Sequence, residues 1–260
     1  MRRKYTFNTG PVMYHLGISM SHPNVISGGD PSRIRKVAQY LDKGAEIIES
    51  KRGLVTVHGS YRGLQVTGFS TGMGPASVSI TMPEIIEACD QDDMVILRIG
   101  TSGGLQKHLK IGDIIASTWY ERAESTCDKI MRPTYHAVTN LDVREALVRS
   151  AHQTKKEYQT VHEGPTRTTD DIYFDALDSK GRDHGEVLAV SMEGSVYCAL
   201  RDRYNHDDNR KIRVGELLVI SDNVVAETEH IDATEFLKRQ QEIEDGHIRA
   251  GLEALLYLRR

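Results

Sequence analysis

The chain has 260 residues, of which 33 are Lys or Arg and 37 are Asp or Glu, so its formal net charge is −4 at pH 7. This acidic balance offers no basic field to nucleic acid, and no apolar run approaches the length of a membrane span. The three cysteines form no C-x-x-C pair, and the first ten residues lack the apolar core of a secretory signal. We therefore expect a cytoplasmic protein that binds neither nucleic acid nor membrane.

Short apolar runs indicate β-strands, and segments with apolar residues at helical spacing indicate α-helices. In chain order the expected strands are Val25–Ser27, Leu54–His58, Leu64–Ser70, Met94–Ile99, Ile114–Thr118, Val187–Val190 and Leu217–Ile220. The expected helices are Ser32–Leu41, Ala76–Ala88, Asp142–Thr154, one that follows Gly194, and Thr234–Leu258. The polar stretch Tyr204–Arg213 is expected to be a solvated loop. The alternation predicts a single α/β domain over residues 1–260, with its chemistry at the strand ends.

The first candidate anion site is the turn Gly28-Gly29-Asp30-Pro31-Ser32-Arg33, between a strand and a helix. Glycines let the backbone approach a ligand closely, and the N-terminus of a helix offers N–H groups to an anion. Arg33 falls in the first helical turn, where a cation is electrostatically unfavourable, which suggests a role beyond local stability. The alternative is an ordinary turn in which Asp30 or Ser32 caps the helix.

The second candidate anion site is Arg98-Ile99-Gly100-Thr101-Ser102-Gly103-Gly104. Arg98 follows four largely apolar strand residues, and a buried arginine needs a partner. A phosphate suits the bidentate guanidinium, and the glycines expose backbone N–H groups to it. The alternative is a structural pair with an internal carboxylate, but the density of glycine favours an anion site. Neither segment matches a Walker loop or a dinucleotide-binding fingerprint.

Five motifs in order resemble the nucleoside phosphorylase family that contains uridine phosphorylases and hexameric purine nucleoside phosphorylases. They are Tyr14-His15-Leu16-Gly17, Gly29-Asp30-Pro31-Ser32-Arg33, Ser70-Thr71-Gly72-Met73-Gly74-Pro75, Arg98-Ile99-Gly100-Thr101-Ser102-Gly103 and Ser191-Met192-Glu193-Gly194-Ser195. The resemblance implies a twisted, partly closed mixed β-sheet flanked by helices. It also implies a homo-oligomer built from dimers, often a hexamer, because active sites in this family are shared between subunits.

The resemblance implies that the substrates are a nucleoside and inorganic phosphate, with no cofactor and no metal. Gly29, Arg33, Arg98 and Thr101 would hold phosphate, and Arg52 would complete that site in a neighbouring subunit. The residues that would bind ribose are Met192, Glu193 and, reaching across from the neighbour to the 5′-hydroxyl, His15. The residues that would contact the base are Ser102, Gly103, Tyr173 and Asp222.

Breaking the N-glycosidic bond gives the ribose oxocarbenium character, as in other glycosyl transfers. Phosphate held by arginines such as Arg98 would stabilise that charge and then attack the anomeric carbon. The departing base needs a proton or hydrogen bonds, and Asp222 is the candidate acid. It follows an apolar strand, where burial can raise the pKa of a carboxyl. The alternative for Asp222 is a local turn or capping role.

The motifs disagree about the base. The segment from Leu97 to Thr101 is more similar to uridine phosphorylases, but these read uracil with a G-Q-x-R segment, and Asp175-Ala176-Leu177-Asp178 stands there instead. Ser221-Asp222 is more similar to the purine enzymes, although Ser191 replaces the first Glu of their E-M-E motif. We expect a uridine-phosphorylase-like enzyme with altered base specificity, and a purine nucleoside phosphorylase is the alternative. A nucleosidase of the same fold and a non-catalytic nucleoside-binding protein are the rivals.

Overall fold

The computed structural model of the chain describes residues 5–7, 9–174, 182–225 and 234–259. The strands are β1 (Asn24–Gly28), β2 (Glu46–Glu49), β3 (Val55–Tyr61), β4 (Leu64–Ser70), β5 (Asp93–Gly104), β6 (Ile114–Ala123), β7 (Ala137–Val138), β8 (Val161–Thr169), β9 (Ala189–Ser191) and β10 (Lys211–Asn223). The helices are α1 (Pro31–Val37), α2 (Pro75–Ala88), α3 (Cys127–Ile130), α4 (Leu141–Thr154), α5 (Gly194–Asp208) and α6 (Thr234–Leu258). The segment Asp175-Ala176-Leu177-Asp178 lies outside the described residues. No helix in the described ranges has the length and apolar character needed to cross a membrane.

The strands of the described ranges form one mixed sheet in the order β10-β6-β8-β9-β5-β1-β4-β3-β2, with β7 paired to β6. An additional parallel pairing joins β10 to β5, so β5, β10, β6, β8 and β9 close into a ring of strands. β1 and β4 continue the sheet in parallel from β5, while β3 and β2 add an antiparallel edge. The predicted mixed, partly closed sheet flanked by helices is confirmed.

The central strand β5 is buried on both faces, which explains its unbroken apolar sequence. Met94 and Ile96 belong to one core cluster, formed with side chains of α2 and α5. Val95, Leu97 and Ile99 point to the opposite face and join a second cluster, formed with side chains of α1, α4 and α6. The sheet is therefore a layer between two groups of helices, and the carboxyl end of β5 is the part of the strand that reaches the cavity described below.

Two expectations about irregular structure were wrong. The glycine-rich run after Ile99 is not a loop, because β5 continues through it to Gly104 and pairs with both β10 and β9. The stretch Tyr204–Arg213 is not a solvated loop, because α5 extends to Asp208 and β10 begins at Lys211. Its polar groups find partners inside the protein: the Tyr204 hydroxyl donates to Glu87, and Arg210 donates to two backbone carbonyls. Composition alone does not reveal such partners.

Candidate active site

One cavity of about 630 Å³ lies where the carboxyl ends of the parallel strands β1, β4, β5 and β10 meet the end of β9. It brings together every predicted site residue except His15 and Arg52. The predicted residues that line it are Gly29, Arg33, Arg98, Thr101, Ser102, Gly103, Tyr173, Met192, Glu193 and Asp222. The crevice at strand ends is the usual place for ligands in α/β sheets.

The turn between β1 and α1 forms one wall of the cavity. Asp30 caps α1, since its carboxylate accepts hydrogen bonds from the Ser32 backbone N–H at 2.7 Å and from the Ser32 hydroxyl at 2.6 Å. Gly29 packs against the loop after β4, where a side chain would place its first carbon 3.0 Å from the carbonyl oxygen of Gly72. This turn therefore has both of the predicted features: Asp30 caps α1, and Gly29 lines the cavity.

Arg33 is buried beside the cavity, with 6% of its surface exposed, and its internal pairing is weak. Its guanidinium lies 3.5 Å from Glu244 Oε1 and 3.5 Å from the carbonyl oxygen of Ile99, which are long distances for hydrogen bonds. Lys36 and Gln240 also bind the Glu244 carboxylate. Burial lowers the pKa of Arg33, so a further negative charge in the cavity would stabilise its charged form.

Arg98 has internal carboxylate partners, and this corrects the preference for phosphate as its partner. Its Nη1 donates to Glu216 Oε1 at 2.7 Å, and its Nη2 donates to Glu193 Oε2. Glu193, predicted to bind the ribose hydroxyls, also accepts from the Gly74 backbone N–H at 2.9 Å. Arg98 still lines the cavity, so an anion there would share the guanidinium with two carboxylates.

Within the described ranges, no Lys, Arg or His forms an ion pair with the Asp222 carboxylate. Among the described residues its hydrogen-bond donor is the Ser221 hydroxyl, at 2.8 Å. The pairing of β10 with β5 shifts register between Ile220 and Asp222, and such a bulge redirects the side chains beside it. Gly103 leaves room for the carboxylate, since a side chain there would approach Asp222 Oδ2 to 3.4 Å. Burial raises the pKa of Asp222, which favours its proton-bearing form.

The remaining cavity wall is largely apolar. Its apolar side chains are Ile172, Tyr173, Val190, Met192 and Val224. Tyr173 lies at the rim with 72% of its surface exposed, so its predicted stacking on a base would cover a ring near the cavity mouth. A flat heterocycle suits such a wall, because apolar and aromatic lining with a few polar groups is typical of small-molecule pockets.

His15 and Arg52 lie away from this cavity. The backbone N–H of His15 donates to Glu84 at 2.9 Å, and its Nδ1 lies 2.7 Å from the same carboxylate. Arg52 is exposed on the turn between β2 and β3. The resemblance assigns both residues to the site of a neighbouring subunit, and that assignment stays a prediction.

Three titratable residues near the site were missed by the sequence analysis. Glu216 is an acid within the otherwise apolar stretch from Val214 to Ile220 of β10, a signal that pointed to a buried cation partner. Glu244 and His247 lie one turn apart on α6. This helix contains many charged residues, so the sequence does not distinguish the two that are buried. The His247 Nε2 lies 2.7 Å from the carbonyl oxygen of Leu217, and burial lowers the pKa of this histidine to about 3.

Comparisons with known proteins agree with this geometry. The family model of the phosphorylase superfamily matches residues 23–252. The chain belongs to the phosphorylase superfamily. It is 30% identical over 207 residues to a guanosine phosphorylase of Halorubrum lacusprofundi, covering 79% of this chain and 80% of the relative. It is 32% identical over 203 residues to a DeoD-type purine nucleoside phosphorylase of Roseobacter denitrificans, covering 77% and 82% of the two chains.

The same fold occurs in the crystal structure of a purine nucleoside phosphorylase from Toxoplasma gondii in complex with immucillin-H. The TM-score is 0.78 at 22% identity, and the match covers 98% of this phosphorylase and 99% of the other chain. The predicted enzyme class, a pentosyltransferase that acts by nucleoside phosphorolysis, is confirmed.

Proposed function

We propose that this phosphorylase splits purine nucleosides with inorganic phosphate and releases the free base and a ribose or deoxyribose 1-phosphate. The observation that carries the proposal is the position of Asp222, a partly buried carboxyl of raised pKa, in the same cavity as Arg33 and Arg98. An acid of this kind can protonate a departing purine, and positioned acids typically contribute about 10²–10⁴-fold to a rate.

Phosphate would bind between the turn before α1 and the glycine-rich end of β5. Arg33 supplies a cation whose internal carboxylate is 3.5 Å away, and Arg98 supplies a second guanidinium. Thr101 adds a hydroxyl, and Gly29 lets the backbone approach closely. Two fixed guanidinium groups would hold the oxyanion below the sugar ring, where it stabilises the developing oxocarbenium charge.

The sugar would lie between this anion and the start of α5. Met192 would pack on the ribose ring, and the Glu193 carboxylate would accept hydrogen bonds from its hydroxyls. Each carboxylate oxygen has two lone pairs, so Glu193 can accept from ribose while it still binds Arg98 and Gly74. The base would then face Tyr173 on one side and Asp222 at its edge.

The purine alternative is favoured over the uridine-phosphorylase-like interpretation by two observations. Asp222 can serve as a proton donor to the ring, whereas no glutamine lines the cavity among the described residues. The two relatives compared above are a guanosine and a purine nucleoside phosphorylase. A nucleosidase is disfavoured because two arginines line the cavity, and water as nucleophile needs neither.

We also propose that the enzyme works as a homo-oligomer built from dimers, with a hexamer as the expected form, and that it needs no cofactor. The Nδ1 of His15 is held by Glu84, which leaves its Nε2 to reach the neighbour's ribose 5′-hydroxyl. Arg52 is exposed and close to no described carboxylate, so it can complete the neighbour's phosphate site.

A substrate panel tests the proposal. Inosine, guanosine, adenosine, uridine and thymidine are incubated with the enzyme, with and without inorganic phosphate, and the free base and the sugar phosphate are quantified. We expect phosphate-dependent release of purine bases. Base release that does not need phosphate would establish a nucleosidase, and cleavage of uridine alone would restore the pyrimidine interpretation.

A further inference from the structure

Glu216 is a buried carboxylate that binds Arg98, one of the two arginines that line the cavity. It is paired in register with Arg98 across the parallel strands β10 and β5, so the two side chains lie next to each other. Both are buried, with 2% of Glu216 and 4% of Arg98 exposed. Glu216 Oε1 accepts from Arg98 Nη1 at 2.7 Å, which makes this carboxylate the inner support of a guanidinium that lines the cavity.

The second oxygen of Glu216 belongs to a chain of hydroxyl groups inside the ring of strands. Ser117 Oγ donates to Glu216 Oε2 at 2.7 Å, and Thr166 Oγ1 lies 3.2 Å from Ser117 Oγ. A hydroxyl both donates and accepts. If Glu216 binds a proton, Ser117 can accept from it and donate instead to Thr166, so Ser117 keeps both partners in either charge state of Glu216.

The charges around the cavity leave a bound dianion uncompensated. Three cations and three carboxylates pair with one another there, namely Arg33, Lys36 and Arg98 with Glu193, Glu216 and Glu244. Their charges cancel, and an oxyanion added in this poorly solvated place would meet two carboxylates on the same guanidinium. Loss of one carboxylate charge would free the charge of Arg98 for the anion.

We propose that Glu216 is a positioning residue for the oxyanion site: it holds the Arg98 guanidinium from inside the strand ring, and it binds a proton from solvent when phosphate enters beside Arg98. The proton returns to solvent when the anion leaves. This inference rests on the proposed function, because phosphate is taken as the anion. In this proposal Glu216 does not contact the substrate. It affects phosphate binding through Arg98.

Glu216 is the group in this cluster that is suited to take up the proton. Burial raises the pKa of Glu216, against the lowering effects of Arg98 and of the hydrogen bond from Ser117. The titratable and charged groups that face it are Arg98 on β5, Tyr120 on β6, Glu193 before α5, and Tyr197 and Cys198 on α5. From α4, the apolar side chains of Val143 and Leu147 lie nearest to the neighbouring Gly215. His247 on α6 faces Arg33 and Arg98, and those charges together with burial lower its pKa to about 3.

Titration calorimetry of inorganic phosphate binding tests the proposal. Binding to the wild-type enzyme, Glu216→Gln and Ser117→Ala is measured from about pH 5 to about pH 9 in buffers of different ionisation enthalpy, which yields the protons taken up per phosphate. The titration of phosphate itself is common to all three proteins, so differences between them isolate Glu216. Glutamine keeps the size of Glu216 and an oxygen for Arg98.

We expect the wild type to take up more protons than Glu216→Gln, by up to one per phosphate. The dissociation constant of the wild type should accordingly rise with pH more steeply than that of the variant, by up to about tenfold per pH unit. In Ser117→Ala the uptake should move to higher pH, because the hydrogen bond that lowers the pKa of Glu216 is gone.

Equal proton uptake by wild type and Glu216→Gln would overturn the proposal. If Glu216→Gln does not fold, an unchanged pH range in Ser117→Ala overturns it equally. Phosphorolysis is assayed separately on the wild type. If proton uptake depends on Glu216 but no nucleoside is cleaved, the proposed function is refuted and the role of Glu216 in phosphate binding still holds. If nucleosides are cleaved but wild type and Glu216→Gln take up equal numbers of protons, the proposed function holds and the role of Glu216 is refuted.

Discussion

Replacing Gly100 with alanine should displace the Arg98 guanidinium. An alanine Cβ at position 100 would lie 2.3 Å from Arg98 Nη1 and 2.8 Å from its Cζ, distances that no Cβ tolerates. A flexible side chain would normally move aside, but this guanidinium is buried and held by Glu193 and Glu216. An alanine at position 100 therefore requires either that β5 shifts or that the ion pairs of Arg98 with Glu193 and Glu216 break.

The expected cost is about 3 kcal/mol of unfolding free energy. Overpacking a core costs about 1–3 kcal/mol, and breaking a buried ion pair costs about 3–5 kcal/mol, so the two ranges meet at this value. The phosphate KM should rise as well, because Arg98 leaves the position in which it lines the cavity. Gly104→Ala on the same strand is the matched control, since its Cβ would approach no atom closer than 3.5 Å.

Urea denaturation of the wild type and both alanine variants measures the cost, and the phosphate dependence of phosphorolysis measures the effect on the site. Alanine restricts the unfolded chain more than glycine does, by about 0.4–1 kcal/mol, and this contribution is common to both variants. If Gly100→Ala matches Gly104→Ala in stability and in phosphate KM, the guanidinium does not lie over Gly100 and its role in the site must be abandoned.

Three further predictions concern single side chains. Asp222→Asn should slow purine phosphorolysis by about 10²–10⁴-fold while raising stability at neutral pH, because a carboxyl whose pKa is raised by partial burial destabilises the fold when ionised; a rate unchanged for every purine would refute its role as acid. Since burial lowers the pKa of His247 to about 3, stability should fall between about pH 6.5 and about pH 3, where the unfolded state alone binds the proton, by up to about 1.4 kcal/mol per pH unit. Chemical denaturation of wild type and His247→Gln across this range checks this contribution, because the variant should lose less stability than the wild type as the pH falls; equal losses would contradict it. Arg52→Ala should leave stability within about 0.5 kcal/mol, as expected for an exposed residue, but should raise the phosphate KM; an unchanged KM would remove Arg52 from the shared site.

Local sequence signals predicted the α/β fold and two segments of the cavity wall, and the resemblance to a known family supplied the other cavity residues. Apolar runs with glycine at their ends predicted the strands, and the helix over Thr234–Leu258 has the predicted bounds. The edge strand β2 and the strand β8 were not predicted. β2 is four residues long with a glutamate at each end, and β8 contains Gly164 and Pro165, so neither forms a long apolar run.

The partners of charged groups were beyond sequence reasoning. The sequence indicated that Arg98 is buried and needs a counter-charge; phosphate and an internal carboxylate were both candidates, and the density of glycine favoured phosphate. Glu216 lies 118 residues further along the chain and reaches Arg98 because β10 pairs in register with β5. Closure of the strand ring, which no local pattern encodes, created this pair.

The sequence by itself determined the periodicities, the glycine-rich turns and the kinds of side chain at each strand end, because these depend on backbone sterics and on residues close in the chain. Those were sufficient to predict an α/β fold with anion sites at its strand ends, and the resemblance of five motifs to a known family added the nucleoside phosphorylase activity. Tertiary structure alone decided which charges neutralise one another and which, like that of Asp222, meet no cation in the part of the chain that the structure describes. The physical reason is that electrostatic energy depends on distances and burial set by residues far apart in the chain.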